Sequence, residues 1–270
     1  MIKLKEDEFT AITSYIHSNY GVDLRKKRHL IEGRLGNHIA QLGYENYMDY
    51  LNYVKSDKKN DEATVLINKL TTNHTYFLRE SEHFDFYKKN VLPWIEDTTK
   101  SKDLRVWSAG CSSGQEPYTL SIITRDYFSG RLSSWDSTIL ASDISDKVLS
   151  IAKSGIYTKE ELSKIPLDWK KKYFVDYDDD CMSVSDALRK GVAYRNFNLL
   201  SKFQFKKPFQ AIFCRNVMIY FDKPTKNEVV RKFYDALMPG GYFFIGQSES
   251  LASIEHPFKY VQPSIYQKEY

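Results

Sequence analysis

Three short stretches combine residue types that can hold a small polar ligand. Ser108-Ala-Gly110-Cys-Ser-Ser-Gly114-Gln-Glu116-Pro117 is rich in small residues and ends in an acid and a proline. Small residues such as Gly110 let a ligand approach the backbone, and Pro117 suits the first position of a helix, where a missing N–H is not needed. The glycine spacing is GxxxG, neither a dinucleotide fingerprint nor a phosphate loop with lysine, so by itself the loop is a nucleoside site or an ordinary tight turn. The run 138–143 ends on Asp143, where an acid can take ribose hydroxyls; equally, Asp143 could cap a helix that follows. The buried-looking run 209–214 passes straight into Arg215 and Asn216, which contribute to a site or mark an exposed strand end.

The positioning elements follow from periodicity. Short apolar runs at 104–107, 138–141, 209–214 and 242–245, bounded by Gly, Asp or Pro, alternate with helical stretches at 117–127, 146–153 and 224–237. That alternation predicts βαβ units and a mostly parallel, doubly wound sheet, an α/β fold whose strand ends carry the three stretches above. Ser264-Ile-Tyr-Gln-Lys follows with no long helix before it, so an antiparallel last strand is expected. Residues 156–194 break the pattern. They are polar, carry an acidic run from Asp176 to Asp180 apart from Tyr177, and hold short alternating segments at 172–177 and 192–194, which predicts an inserted small β-subdomain. Residues 1–70 have no strand-like run. Phe9, Ile12, Tyr15 and Ile16, then Leu24, Ile31, Leu35, Ile39 and Leu42, recur at helical spacing, with breaks at Gly21, Gly43 and 56–61 before a further helix holding Val65, Leu66 and Leu70. A small all-helical N-terminal domain over 1–70, followed by an α/β domain over 71–270, is the expected organisation.

Composition narrows the classes. In 270 residues, 42% apolar and 27% charged, no run approaches the ~18 uncharged apolar residues of a membrane span, so membrane insertion and disorder are not expected. The N-terminal MIKLKEDEFTAITSY lacks the apolar run and cleavage site of a secretory signal, which points to the cytoplasm. A net charge of +4 is too small to indicate nucleic acid. Three distant cysteines and six scattered histidines fit neither a disulfide framework nor a metal site.

Together with 70–80 and Phe197-Asn198-Leu199-Leu200, these stretches resemble one family, the CheR-type chemoreceptor protein-glutamate O-methyltransferases of bacterial chemotaxis. Five separated motifs occur in the family's order: TTNHTYFLRE, VWSAGCSSGQEPY, ASDIS, NLL and FCRNVMIYF. The resemblance implies a helical N-terminal domain and an S-adenosylmethionine-dependent methyltransferase domain with a small β-subdomain inserted. It implies transfer of methyl groups to glutamate carboxylates on the cytoplasmic helices of methyl-accepting chemoreceptors, for chemotactic adaptation, leaving S-adenosylhomocysteine and using no metal. Matched positions make Asn73, Thr75, Arg79, Glu116, Asp143, Asn198, Leu199, Arg215 and Asn216 cofactor contacts, and put Tyr220, with Arg79, beside the methyl donor to orient the acceptor.

The chemistry of that cofactor agrees with the residue types. A zwitterionic amino acid joined through a sulfonium to adenosine needs a donor for its carboxylate, acceptors for its amine, an acid for its ribose and a polar edge for adenine. Arg79, Glu116, Asp143 and Asn198 supply those types, and only arginine grips a carboxylate with two parallel hydrogen bonds. On the residues alone, Arg79 and Glu80 read as well as an exposed helical ion pair. A substrate glutamate, with a pKa near ~4.3, is ionised at neutral pH and needs no general base. The enzyme then contributes in-line positioning and partial dehydration of the carboxylate.

Arg25, Lys26, Lys27, Arg28 and Arg34 form the dense basic cluster. On a helix at about 100° per residue, Lys26, Lys27 and Arg34 share one face, and Leu24, Ile31, Leu35 and Leu42 another. The basic face is a solvated surface or, as the resemblance suggests, a docking surface for glutamate-bearing receptor helices. Family members that bind a receptor C-terminal pentapeptide use a Gly-containing loop of the β-subdomain. The corresponding 175–182 has no glycine, so independence of that peptide is expected. Two other readings stay open: a regulatory module that binds S-adenosylmethionine without turnover, and a methyltransferase for a small molecule or RNA.

Overall fold

The computed structural model describes residues 2–58 and 61–270; Lys59 and Asn60, within the expected break at 56–61, lie outside the described residues. Four helices come first: α1 (Glu6–Tyr20), α2 (Arg28–Gln41), α3 (Tyr47–Ser56) and α4 (Asp61–Leu70). Buried Glu8 ties the first to the third, accepting from Lys5 N–H at 2.8 Å and Tyr47 N–H at 3.1 Å. Gly21 ends α1 at φ 72°. A side chain there would be strained and would meet Thr225 at 2.8 Å, so only glycine allows this close approach.

Helix α2 starts later than the periodicity suggests. Val22 forms a bridge to Phe221, and Asp23 N–H donates to the Tyr220 carbonyl at 2.8 Å, which holds the chain extended before a turn. Arg25, Lys26 and Lys27 therefore precede the helix and do not share a helical face with Arg34. Leu24, Ile31 and Leu35 are buried as expected, but Leu42, just past the helix end, is 45% exposed.

Helix α5 (Ser81–Phe86), a π-helical turn at Tyr87–Val91 and α6 (Leu92–Thr98) lead into the α/β part. There β1 (Val106–Ala109), α7 (Gln115–Tyr127), β2 (Ile139–Asp143) and α8 (Asp146–Ser154) alternate as expected. Pro117 falls at the third position of α7 rather than the first, still among the residues whose N–H groups have no helical partner. The stretch 156–194 divides. Strands β3 (Ile156–Thr158), β4 (Phe174–Asp176) and β5 (Cys181–Val184) form a separate antiparallel sheet in the order β3-β5-β4, with α9 (Leu167–Tyr173) between β3 and β4. After α10 (Asp186–Lys190), β6 (Val192–Asn196) leaves that subdomain and joins the main sheet beside β2, pairing Ile139 with Val192. Residues 192–194 thus belong to the main sheet because the edge of β2 offers a full parallel ladder, a long-range pairing that local alternation cannot reveal.

β7 (Phe209–Cys214), α11 (Lys223–Ala236), β8 (Leu237–Ile245), β9 (Lys259–Gln262) and β10 (Ile265–Gln267) complete the chain. The main sheet has the order β6-β2-β1-β7-β8-β10-β9, parallel except that β10 runs antiparallel to both its neighbours. Alternation along β7 feeds two cores. Ile212 and Cys214 pack with Trp107, Phe233 of α11 and the apolar faces of α1–α4, so the N-terminal helices share one continuous core with the sheet. Ala211 and Phe213 pack on the other face with Phe84, Tyr87, Tyr118 and Leu149. Among the described residues no helix is long and apolar enough to cross a membrane.

Candidate active site

The chain order reverses between β1 and β7, and a cleft of about 1040 Å³, counted to its open mouth, lies at the carboxyl ends of the strands there. β1 runs into Gly110 at φ 82°, where a Cβ would sit 2.4 Å from Val217, so the loop can pass beneath Val217 only as glycine. Gly110 and Cys111 N–H groups donate to the Ser142 carbonyl at 2.7 and 2.9 Å, stitching the loop to β2. At the end of β2, one oxygen of Asp143 accepts from Ser112 N–H at 2.9 Å and the other from Ser145 N–H at 3.0 Å. Helix α8 is capped instead by Ser145, whose hydroxyl accepts from Val148 N–H. Asp143 is therefore not the cap. Burial pushes its carboxyl above the ordinary carboxylate range, against the pull of the surrounding N–H groups.

Beneath the cleft lies a buried ionic cluster. Arg215, 3% exposed, donates to Glu116 at 3.0 Å, to Glu80 at 3.2 Å and to the Arg79 carbonyl. Glu116 also accepts from the Ser108 hydroxyl at 2.6 Å, and Glu80 from Gln247 N–H at 3.1 Å and Asn216 at 3.3 Å. Burial raises both carboxyls. In Glu80 it is outweighed by the Arg215 charge and the hydrogen bonds, which hold it below the usual range, whereas in Glu116 burial prevails. His83, whose buried Nδ1 has no hydrogen-bond partner among the described residues, is pushed down to about 4 by burial and by Arg215. Glu249 accepts from Asn216, Ile219 and Gly246 N–H groups and so pins the turn after β7 to the end of β8. Glu80 and Asn216 adopt left-handed backbone, φ 55° and 59°, which this web of bonds sustains.

All eleven residues expected around cofactor and acceptor line this one cleft: Asn73, Thr75, Arg79, Gly110, Glu116, Asp143, Asn198, Leu199, Arg215, Asn216 and Tyr220. Their environments differ from a plain reading of types. Asn198 is occupied on both sides, donating to the Asn19 carbonyl at 2.7 Å and accepting from Leu200 N–H at 2.9 Å. Arg79 donates to the His74 carbonyl at 2.6 Å and is 3.9 Å from Glu80, leaving other N–H groups for a ligand. The Tyr220 hydroxyl donates to the Thr72 carbonyl at 3.2 Å. Tyr20, Val22 and Ile67 add a wall from the N-terminal residues, so the cleft is not confined to the α/β part.

Glu249, Gln247 and His83 were not singled out by type and spacing, and Ser108 stood in the loop stretch without a role of its own. An acid close behind the strand 242–245 is a usable signal for Glu249; nothing local marks the others. Of the basic cluster, Arg25 pairs with Asp23 at 2.8 Å and Asp222 at 3.2 Å, and Arg28 with Glu6 and the Leu4 carbonyl. Arg34 donates to the Lys69 and Thr71 carbonyls and the Thr72 hydroxyl at 3.2, 2.9 and 3.1 Å. Lys26 and Lys27 are exposed and have no ion pair among the described residues.

The cleft suits S-adenosylmethionine. It has an acid at the end of β2, an arginine with free donors, apolar Ile144 and Leu199, and a buried Arg215 Nε without a partner among the described residues. A doubly wound sheet with such a cleft at its switch point defines the chain as an S-adenosylmethionine-dependent methyltransferase by class. The particular family follows from comparison with known proteins. The chain belongs to the CheR methyltransferases: residues 73–266 match the family's S-adenosylmethionine-binding domain and 7–71 its all-alpha domain. It is 38% identical to the chemotaxis protein methyltransferase of Borreliella burgdorferi, over 99% of this chain and 96% of that one. It is 35% identical to that of Escherichia coli, over 98% and 92%. A solved Rickettsia typhi protein, PKMT2 in complex with AdoHcy, is 17% identical over 53% and 21% of the two chains at a TM-score of 0.34, too slight a likeness to bear on function.

Proposed function

We propose that this methyltransferase esterifies glutamate side chains on the cytoplasmic helices of chemoreceptors. The observation that carries the reading is the state of the cleft's carboxylates. Glu116, with Glu80 beneath the cleft, is held by Arg215 and further donors, and Asp143 by Ser112 and Ser145 N–H groups with lone pairs left for a ligand, so these acids serve binding and support rather than proton abstraction. A glutamate acceptor, already ionised at neutral pH, needs none.

S-adenosylmethionine, when bound, supplies an electrophilic methyl group on its sulfonium. Asp143 takes the ribose hydroxyls with the lone pairs left by Ser112 and Ser145, and Arg79 grips the carboxylate. Arg215 acts mainly by fixing Glu116 and Glu80, and with them both sides of the loop. Tyr220 orients the acceptor by exchanging its bond to the Thr72 carbonyl for one to a carboxylate, a charge-assisted and hence stronger partner. Transfer of tritiated methyl to receptor-containing membranes tests this reading. Base-labile label on the receptor supports it; label on RNA or a small molecule, or cofactor binding without transfer, overturns it. Tyr220→Phe should lower single-turnover transfer about tenfold with unchanged cofactor affinity. Equal rates would reduce Tyr220 to packing.

Lys26 and Lys27, without an ion pair among the described residues, keep the docking role open for part of the basic cluster. Lys26→Glu with Lys27→Glu should raise the apparent KM for receptor several-fold, on the order of 1 kcal/mol, and flatten its dependence on salt, since exposed charges act within ~8 Å at physiological ionic strength. A wild-type KM across the salt series would refute docking there. Arg34 is a poor probe, because its bonds to 69–72 support the cleft wall. Recognition is independent of a receptor C-terminal pentapeptide in this reading, so a receptor without its tail should be an equal substrate.

A further inference from the structure

Tyr76 lines the cleft, and Lys164 Nζ stands 4.3 Å from the centre of its ring. Arg79, in the same cleft, is 5.9 Å from that ring. Lys164 comes from the inserted subdomain, in the turns between β3 and α9, where Leu162 and Ile165 on either side are buried and Lys164 itself is exposed. The segment is held firmly. Ile165 N–H donates to the Leu162 carbonyl at 3.0 Å, Leu162 N–H to the Thr158 carbonyl at 3.2 Å, and Glu161 accepts from Thr158 N–H at 2.9 Å. Glu161 also receives Gln115, the first residue of α7, at 3.4 Å, so the turn is fastened to the helix that follows the cofactor loop. Lys164 has no ion pair among the described residues.

On the glutamate-methylating reading above, on which it rests, we infer that Lys164, seated on Tyr76, is a specificity-determining cation that receives the acidic acceptor helix beside the cleft. A lysine resting on an aromatic face is restricted in position. Such a cation binds a carboxylate with less ordering cost than a free surface lysine, whose flexible stem must first be immobilised. The tyrosine lines the cleft, so it puts the lysine at the cleft's wall and leaves its charge unspent. The inserted subdomain thereby acts in substrate selection through a fixed charge, without a peptide-binding loop.

The test uses the full chain, receptor-containing membranes as substrate and a salt series. Lys164→Met keeps an apolar stem on Tyr76 and removes the charge. It should raise receptor KM about threefold to tenfold at low salt and weaken the salt dependence, with Lys164→Glu raising it further and Lys164→Arg close to wild type. kcat and the cofactor dissociation constant should not change. Wild-type KM in both Lys164→Met and Lys164→Glu overturns the inference while leaving glutamate methylation in place. A parallel loss of cofactor affinity in Lys164→Met also overturns it, showing that the residue only props the cleft. Absence of base-labile methyl ester with the unaltered chain removes the functional reading itself, and this inference with it.

Discussion

Arg215→Met should unfold with about 3–5 kcal/mol less stability than the unaltered chain, the scale for breaking a buried ion pair from one side. Arg215 is 3% exposed, and Glu80 and Glu116 lie 3.2 and 3.0 Å from it. Methionine fills much of the volume, but two carboxylates stay behind with no cation. The pH dependence carries a sign that separates this cause from lost packing. In the unaltered chain Glu80 sits below its ordinary 4.5, so its contribution is present above that pH and is lost as pH falls through the depressed value. Without Arg215, burial raises both carboxyls, and protonation relieves them. The deficit of the variant should therefore shrink as pH falls from 7 toward 4.5. Urea unfolding at several pH values checks both points. A deficit below about 1 kcal/mol, or one that does not vary with pH, would show that the cluster is not the ionic support described.

Asp143→Ala should weaken S-adenosylmethionine binding by roughly 1.5–3 kcal/mol, about ten- to hundredfold, the scale of hydrogen bonds to a charged group. The structure adds a second expectation. Asp143 also holds Ser112 and Ser145 N–H groups, so the variant should lose about 1–2 kcal/mol of stability, limited because water can reach the cleft. Calorimetric titration of cofactor with parallel thermal unfolding separates the two. Unchanged affinity in a folded variant would remove Asp143 from the ribose position.

Local physics decided much of this protein before any tertiary contact is considered. The run 209–214 is strand β7 to the residue, because a short apolar stretch between Pro208 and Arg215 has one way to bury both faces. Gly21 ends a helix as its backbone freedom suggests, whereas Ser145 rather than Asp143 caps α8 and Pro117 sits two residues into α7. The acid ending β2 and the small-residue loop after β1 were legible too, because strand ends on one side of a parallel sheet converge whatever the sequence between them. What the loop, Asp143 and Arg215 do together was not legible. Arg215 meets Glu116 and Glu80 across 99 and 135 residues, and no spacing rule reaches that far. The same limit explains residues 192–194, whose place was settled by a free edge of β2, and the start of α2, settled by the bridge of Val22 to Phe221. It explains the basic cluster most clearly. Five cations look alike in sequence, yet Arg25, Arg28 and Arg34 are spent on Asp222, Glu6 and the 69–72 backbone. Only the fold, which among the described residues brings acceptors to three of them and none to Lys26, Lys27 and distant Lys164, decides which charges are left for a partner.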